Sequence, residues 1–361
     1  LRKASKAKQI ELRAECVAFA GAIIRSWKPR ENHWRAWQSG SDSNTADEQT
    51  ARAGFAPLIT EIDDPQIGID YLREVVPQDI EQQINNTFAA FMKRHGWTEF
   101  EPALSLLMDS TDDVTVFRNA GLLQVIATQS DQDADRIAIG QRLADRLLSR
   151  LKAVDDGRAR STIRYPQNAI RIDRDELLCW LVKAFVSLSA DRALNELVDH
   201  TLESKPYDLT KVHVAAINKL SSWLVARLKS QPASPAVGRW LQHCRVRLEE
   251  LASAAPEAPQ DFRRADTVGC KCRDCAGLKK FLVDPETETA QFRMAEHRRE
   301  HLRHTIIGHK CDVTHKTERR GSPHTLVCTK STASYDEACR IYERDCKNLR
   351  LVADLEARTG K

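Results

Sequence analysis

Three cysteines within six positions, Cys270-Lys271-Cys272-Arg273-Asp274-Cys275, constrain this chain more than any other feature. Residues 276–328 add six of its eleven histidines together with Cys311 and Cys328. Cys272-x-x-Cys275 is the spacing by which a tight turn delivers two thiolates to one tetrahedral Zn²⁺, and Cys270 can turn toward the same point. The fourth ligand must come from further along. Candidates are His297 and His301, one helical turn apart, then His304, His309, Cys311 and His315. Buried thiols commonly serve as small apolar side chains, and Cys16, Cys179 and Cys244 fit that description within apolar helical patterns. The 270–275 thiols do not, because Lys271, Arg273 and Asp274 lie between them.

Ten cysteines in 361 residues is far below the density of a disulfide scaffold. No secretory signal is visible, so the expectation is reduced thiols and an intracellular protein, cytoplasmic or nuclear. The abundance of histidine favours structural Zn²⁺ over an iron–sulfur cluster. The longest apolar run, Cys16 to Ile24, has nine residues, against the roughly 18 that a membrane span needs. A chain of this length suggests two domains. It begins at Leu1 with a Lys-rich helical pattern, which suggests a piece of a longer polypeptide.

From about Asp79 to Leu251 the apolar residues keep a helical period. Ile80, Ile84, Phe88 and Phe91 form one stripe, and Leu209, Val212, Ala216, Leu220 and Trp223 another. Breaks are expected at Gly96, at 112–113, at Asp155-Asp156-Gly157, at Pro206 and at 231–235. Leu177, Leu178, Leu181, Phe185 and Leu188 mark a further helix, with Asp191 as the next N-cap. The pattern predicts a mainly α protein: an irregular, HEAT-like solenoid over 1–252, an Ala/Pro linker over 253–262, and a small zinc-stabilised α+β module over 263–361. Trp27, Trp34 and Trp37 form a loose aromatic group around Pro29, and 38–54 reads as a loop. His33, His95, His200, His213 and His243 stand alone on helical patterns and suggest no chemistry.

In the Cys/His-rich end, Leu278, Phe281 and Leu282 predict a short helix stopped by Asp284-Pro285. Met294 to Ile307 predicts another, with His297, His301 and His304 along one face and Arg298, Arg299 and Arg303 turned to solvent. Val313–Arg319 and His324–Thr329 read as a hairpin, and Tyr335–Ala357 as a closing amphipathic helix. The overall charge is only +4, yet residues 263–350 carry 19 Lys+Arg against 13 Asp+Glu. Lys316, Arg319, Arg320 and Lys330 place that excess on the hairpin, as candidate phosphate or nucleic-acid contacts.

Several of these residues together resemble a known pattern. They are Cys270-x-Cys272-x-x-Cys275, Phe281-Leu282, Asp284-Pro285, Arg298-Arg299-x-His301-Leu302, Asp312-x-Thr314-His315, and the run from Arg319 through Pro323 and Leu326 to Lys330. The string resembles the C-terminal, non-catalytic region of large fungal and bacterial proteins whose N-terminal part looks like an Fe(II)/2-oxoglutarate-dependent, prolyl-hydroxylase-like oxygenase. The resemblance favours His301 as the fourth ligand, because its Arg-Arg-x-His-Leu setting belongs to the pattern. An oxygenase of that class needs His-x-Asp/Glu and a distant His. None of the eleven histidines here has an acid two residues on, so the iron site itself is missing from this sequence.

The sequence therefore points to a zinc-containing region that recruits a macromolecular partner, protein or nucleic acid, with an oxygenase-accessory role as the alternative. No P-loop, nucleophile elbow, dinucleotide fingerprint or His-Glu-x-x-His is present. A hydrolytic zinc enzyme would need an open coordination position, and three thiolates would leave the metal a poor activator of water. Cys328 near His315 or His324 is a weaker nucleophile reading, since a strand cysteine ordinarily packs inward.

Overall fold

The computed structural model describes residues 6–26, 56–77, 86–109, 113–129, 133–157, 173–229, 232 and 234–359. The Trp27, Trp34 and Trp37 group, the 38–54 loop, and Ile80 and Ile84 lie outside the described residues. The protein is mainly helical, with one small antiparallel sheet near the Cys/His cluster. The chain divides into two compact units, Leu1–Cys244 with Val352–Lys361, and Arg245–Leu351.

The first unit contains α1 (Lys6–Arg25), α2 (Ala56–Ile62), α3 (Pro65–Asp70) with a π-helical turn at Tyr71–Val75, α4 (Asn86–His95), α5 (Trp97–Met108), α6 (Asp113–Ala127), α7 (Ala134–Asp155), α8 (Arg174–Ser187) and α9 (Asp191–Glu203). A second π-helical segment, Leu209–Val214, runs into α10 (Ala215–Leu228), and α11 (Pro235–Leu251) crosses into the second unit. Helices end where the breakers stand: Gly96 separates α4 from α5 at φ 96°, and Gly157 follows α7 at φ 69°. Asp191 lies one residue inside α9, whose N-cap is Ala190. In that first turn its charge still complements the helix N-terminus.

α5, α7 and α9 pack in succession, while α6 lies against α7 and α8, and α8 against α10. The first row is laced by Glu101–Arg142, Asp145–Arg192 and Asp199–Arg239, at 2.6, 2.5 and 2.7 Å, the last reaching α11. Such exposed pairs contribute little energy each. Burial of the stripes dominates, as where Tyr71, Phe88, Phe91 and Phe100 pack ring to ring at 5.5–5.7 Å. Gly68 permits that cluster, since a Cβ there would stand 2.5 Å from the Phe91 ring. The α5–α10 helices run from 12 to 22 residues, so the stacking follows no fixed repeat length.

Two of the lone histidines are tied into buried networks. His200 Nε2 meets Asp155 Oδ2 at 2.9 Å, and Asp155 also accepts from Arg174 at 2.5 Å and the Tyr207 hydroxyl at 2.8 Å. Burial pushes the Asp155 carboxyl up, but these donors outweigh it and hold it below its ordinary value. His213 Nδ1 accepts from Trp240 Nε1 at 2.9 Å, and its Nε2 lies 3.2 Å from Thr201 O. An indole nitrogen only donates, so the His213 proton sits on Nε2 and the ring is neutral.

The second unit holds the rest of α11, then α12 (Arg273–Val283), β1 (Thr289–Arg293), α13 (Glu296–Gly308), β2 (Val313–Glu318), β3 (Thr325–Lys330) and most of α14 (Ala333–Thr359). The strands form one antiparallel sheet in the order β1-β3-β2. Its inward face carries Leu326 and Cys328, packed with Leu278, Leu282, Leu302 and Ile306. Asp284 ends α12 as expected, its carboxylate accepting from the amides of Glu286 and Thr287 and from the Thr287 hydroxyl. Asp312 accepts from both the amide and the hydroxyl of Ser334, which fixes the start of α14.

The division between units does not follow the 252/263 boundaries expected from composition. It falls inside α11, and 253–262, though irregular and largely exposed, groups with the second unit. A continuous helix carries the chain across the division, whereas the end of the Ala/Pro segment is fastened: Phe262 N donates to Pro285 O and Arg264 N to Leu282 O. Residues 352–361 group with the first unit, and Val352 and Leu355 are fully buried.

Candidate metal centre

α12 begins at the thiols. Cys272 is its N-cap, with extended backbone at φ −68° and ψ 162°, and its Sγ accepts from the Cys275 amide at 3.4 Å. A thiolate thus occupies the place usually taken by a Ser or Asp oxygen. α13 packs on α12 and presents His301, whose Nε2 lies 3.6, 3.4 and 3.2 Å from the sulfurs of Cys270, Cys272 and Cys275. All four ligand atoms fall within 4.8 Å of one another. Tetrahedral bonds of zinc length, ~2.3 Å to sulfur and ~2.0 Å to nitrogen, would separate S from N by about 3.5 Å. The four side chains can hold a metal ion, and their spacing is consistent with zinc.

The electrostatics of the thiols differ sharply. Cys272 is pulled down to about 6, first by the Cys275 amide and then by its thiol and imidazole neighbours. Cys275 is buried and pushed up to about 12, mainly by that burial. Thiolate ligation would require Cys275 to lose its proton, so metal binding there would release protons. Thr305 sits beneath, its Oγ1 donating to His301 O at 2.9 Å and lying 3.7 Å from Cys275 Sγ. Arg298 grips Asp274 with two guanidinium bonds, one from Nε at 2.8 Å, and so fastens the first turn of α12 to α13.

The other candidate ligands lie elsewhere. His304 Nδ1 meets Glu300 O, the His309 ring rests over Gly269, Cys311 Sγ lies 3.5 Å from Thr267 Oγ1, and His315 stands opposite Cys328. Among the described residues, His297 joins no metal-ligand group. Cys328 is fully buried and pushed up to about 12, which makes it a packed thiol and not a nucleophile.

The hairpin is as expected except in one residue. Lys316, Arg319 and Arg320 are exposed, but Lys330 is only 6% exposed. Strand alternation turns Lys330 inward with Leu326 and Cys328. There its Nζ donates to Asp284 O and stands 4.7 Å from the centre of the Phe281 ring. Lys330 is therefore structural and unavailable to a phosphate. Arg299 was expected in solvent and is also buried, donating to Met294 O and His324 O. Its position three residues before Leu302 places it on the inward face of α13. Sequence reasoning missed Thr305, one turn after His301, and Arg293, on a strand of only five residues whose alternation rests on Ala290 and Phe292 alone.

Comparison with protein-family models, curated proteins and solved structures returns no match for this chain. No helix among the described residues is long and apolar enough to cross a membrane.

Proposed function

We propose that this chain is a non-catalytic, zinc-containing binding region of an intracellular protein, whose C-terminal unit recruits a macromolecular partner through the hairpin carrying Lys316, Arg319 and Arg320. The convergence of four protein ligand atoms carries the reading, since it fills a tetrahedral site and leaves no position for an activated water. The metal then serves the fold, and what the fold exposes is the basic hairpin. The irregular helical stack supplies a second surface of the kind that holds proteins.

One observation favours a narrower version. The histidine at the thiols is His301, the one singled out by the oxygenase-associated pattern. An accessory role beside an Fe(II)/2-oxoglutarate oxygenase domain on the same polypeptide would follow. Coding sequence upstream of Leu1 containing His-x-Asp, a distal His and a downstream Arg would support that version, and a native Met start at this point would end it.

The binding reading is tested on an immobilised polyanion such as heparin. The zinc-loaded chain should be retained at low ionic strength and released by moderate salt, because released counterions drive such contacts. Flow-through at low ionic strength would contradict it.

A further inference from the structure

Resting on that reading, we infer that the β2–β3 turn is a phosphate site, and that its ligand is the backbone of duplex nucleic acid. The turn is unusual in where its backbone groups go. The carbonyls of Gly321, Ser322 and Pro323 all accept from side chains: His324 Nδ1 at 2.9 Å, Arg293 Nη2 at 3.0 Å and Arg293 Nε at 3.3 Å. The His324 carbonyl in turn accepts from the Met294 amide and from buried Arg299. These bonds tie three successive carbonyls to the protein. The amides of Arg320, Gly321 and Ser322 find no acceptor among the described residues. Gly321, at φ 76°, gives the turn the left-handed residue from which anion-binding concavities of N–H groups are built.

Charge agrees with those donors. Arg319 and Arg320 flank the turn, Lys316 lies on the outward face of β2, and none of the three is in an ion pair among the described residues. Glu318 is the one acid in this stretch of hairpin, leaving a net +2, or +3 with Arg293. Because Arg293 and His324 already hold the turn, binding an anion would cost little further ordering.

The outward sheet face decides the class of ligand. Register places Gln291, Val327 and Lys316 in its middle row, between threonines on one side and Arg293, Thr325 and Glu318 on the other. It carries no aromatic ring. Sequence-tolerant binding of single strands relies on aromatic platforms for unstacked bases, and this face has none. What remains is contact with phosphates whose bases stay stacked, as in a duplex, with no preference for sequence.

The test uses the zinc-loaded full chain, a short mixed-sequence duplex, its separated strands, and fluorescence anisotropy over a range of salt. The duplex should bind more tightly than either strand. Arg319→Ala with Arg320→Ala should lower affinity at least tenfold and flatten the log–log salt slope by about 2, one for each lost contact. Gly321→Ala has room for its Cβ but not for its φ, so it should weaken binding several-fold with the slope unchanged, because only neutral donors are displaced. Zinc content and circular dichroism should match wild type in each variant. Tighter binding of single strands, or duplex affinity unaltered by the double substitution, would overturn the site while polyanion retention left the broader reading standing. A chain that binds no nucleic acid yet stays on heparin would overturn the ligand class alone. A chain held by neither would remove both.

Discussion

Cys272→Ser should unfold the second unit and leave the first intact. In small metal modules binding energy is folding energy, roughly 10–16 kcal/mol for structural zinc in the best-studied cases. Here the centre joins the start of α12 to α13, and the same two helices supply Leu278, Leu282, Leu302 and Ile306 to the core. That core is small, and a metal bound at the four side chains would outweigh any single apolar contact within it. The contrast between units is easily read, because all seven tryptophans precede residue 245. Tryptophan fluorescence should therefore stay native while limited proteolysis cuts rapidly within 270–330, and a strong chelator should do the same to wild type. A variant that resists cleavage over 270–330 would show that the apolar core suffices without the metal.

The second large effect concerns acid. His213 is pushed from 6.5 down to about 4, first by burial, with nearby His243 adding to the effect and the Thr201 carbonyl and Asp208 opposing it. The unfolded chain binds a proton at His213 below 6.5, whereas the folded chain resists until about 4. Stability of the first unit should thus fall as pH drops through that window, by about 3 kcal/mol for the full displacement. The loss is complete near the lower value and absent above the upper one. Urea unfolding followed by tryptophan fluorescence at stepped pH measures it. His213→Gln, which keeps an acceptor for Trp240 Nε1 and a donor for Thr201 O, should remove this part of the acid sensitivity. Equal pH dependence in variant and wild type would assign the loss to other groups.

The candidate metal centre was legible in the sequence because its chemistry is local. Cys270, Cys272 and Cys275 are close in the chain by necessity, and only the histidine had to be found. Helical spacing alone left His297 and His301 open. The choice depends on how α13 rotates on α12, which Leu302 and Ile306 set by burying their own face. The mainly helical class and most helix ends followed from periodicity and from breakers such as Gly96 and Gly157.

What escaped depended on tertiary partners. β1 is a five-residue edge strand with only Ala290 and Phe292 turned inward, too short for its alternation to stand out in the sequence, and it pairs along its length with β3. Lys330 and Arg299 read as solvent-facing charges, yet each is buried because a carbonyl waits for it. Charge counted along a sequence cannot tell such a residue from Arg319 or Arg320. The unit boundary was hidden for a related reason. Proline and alanine at 253–262 mark a poor helix former, but the division of the chain follows packing, and α11 remains helical across it.

The proposal stands or falls on the identity and ligation of the metal. Elemental analysis joined to zinc-edge X-ray absorption on the full chain is the most direct measurement. It should find close to one zinc per folded chain, with three sulfurs at ~2.3 Å, one nitrogen at ~2.0 Å and no bound water, and His301→Ala should remove the nitrogen. Folded protein without metal, or a zinc whose shell is unchanged by that substitution, would contradict the account.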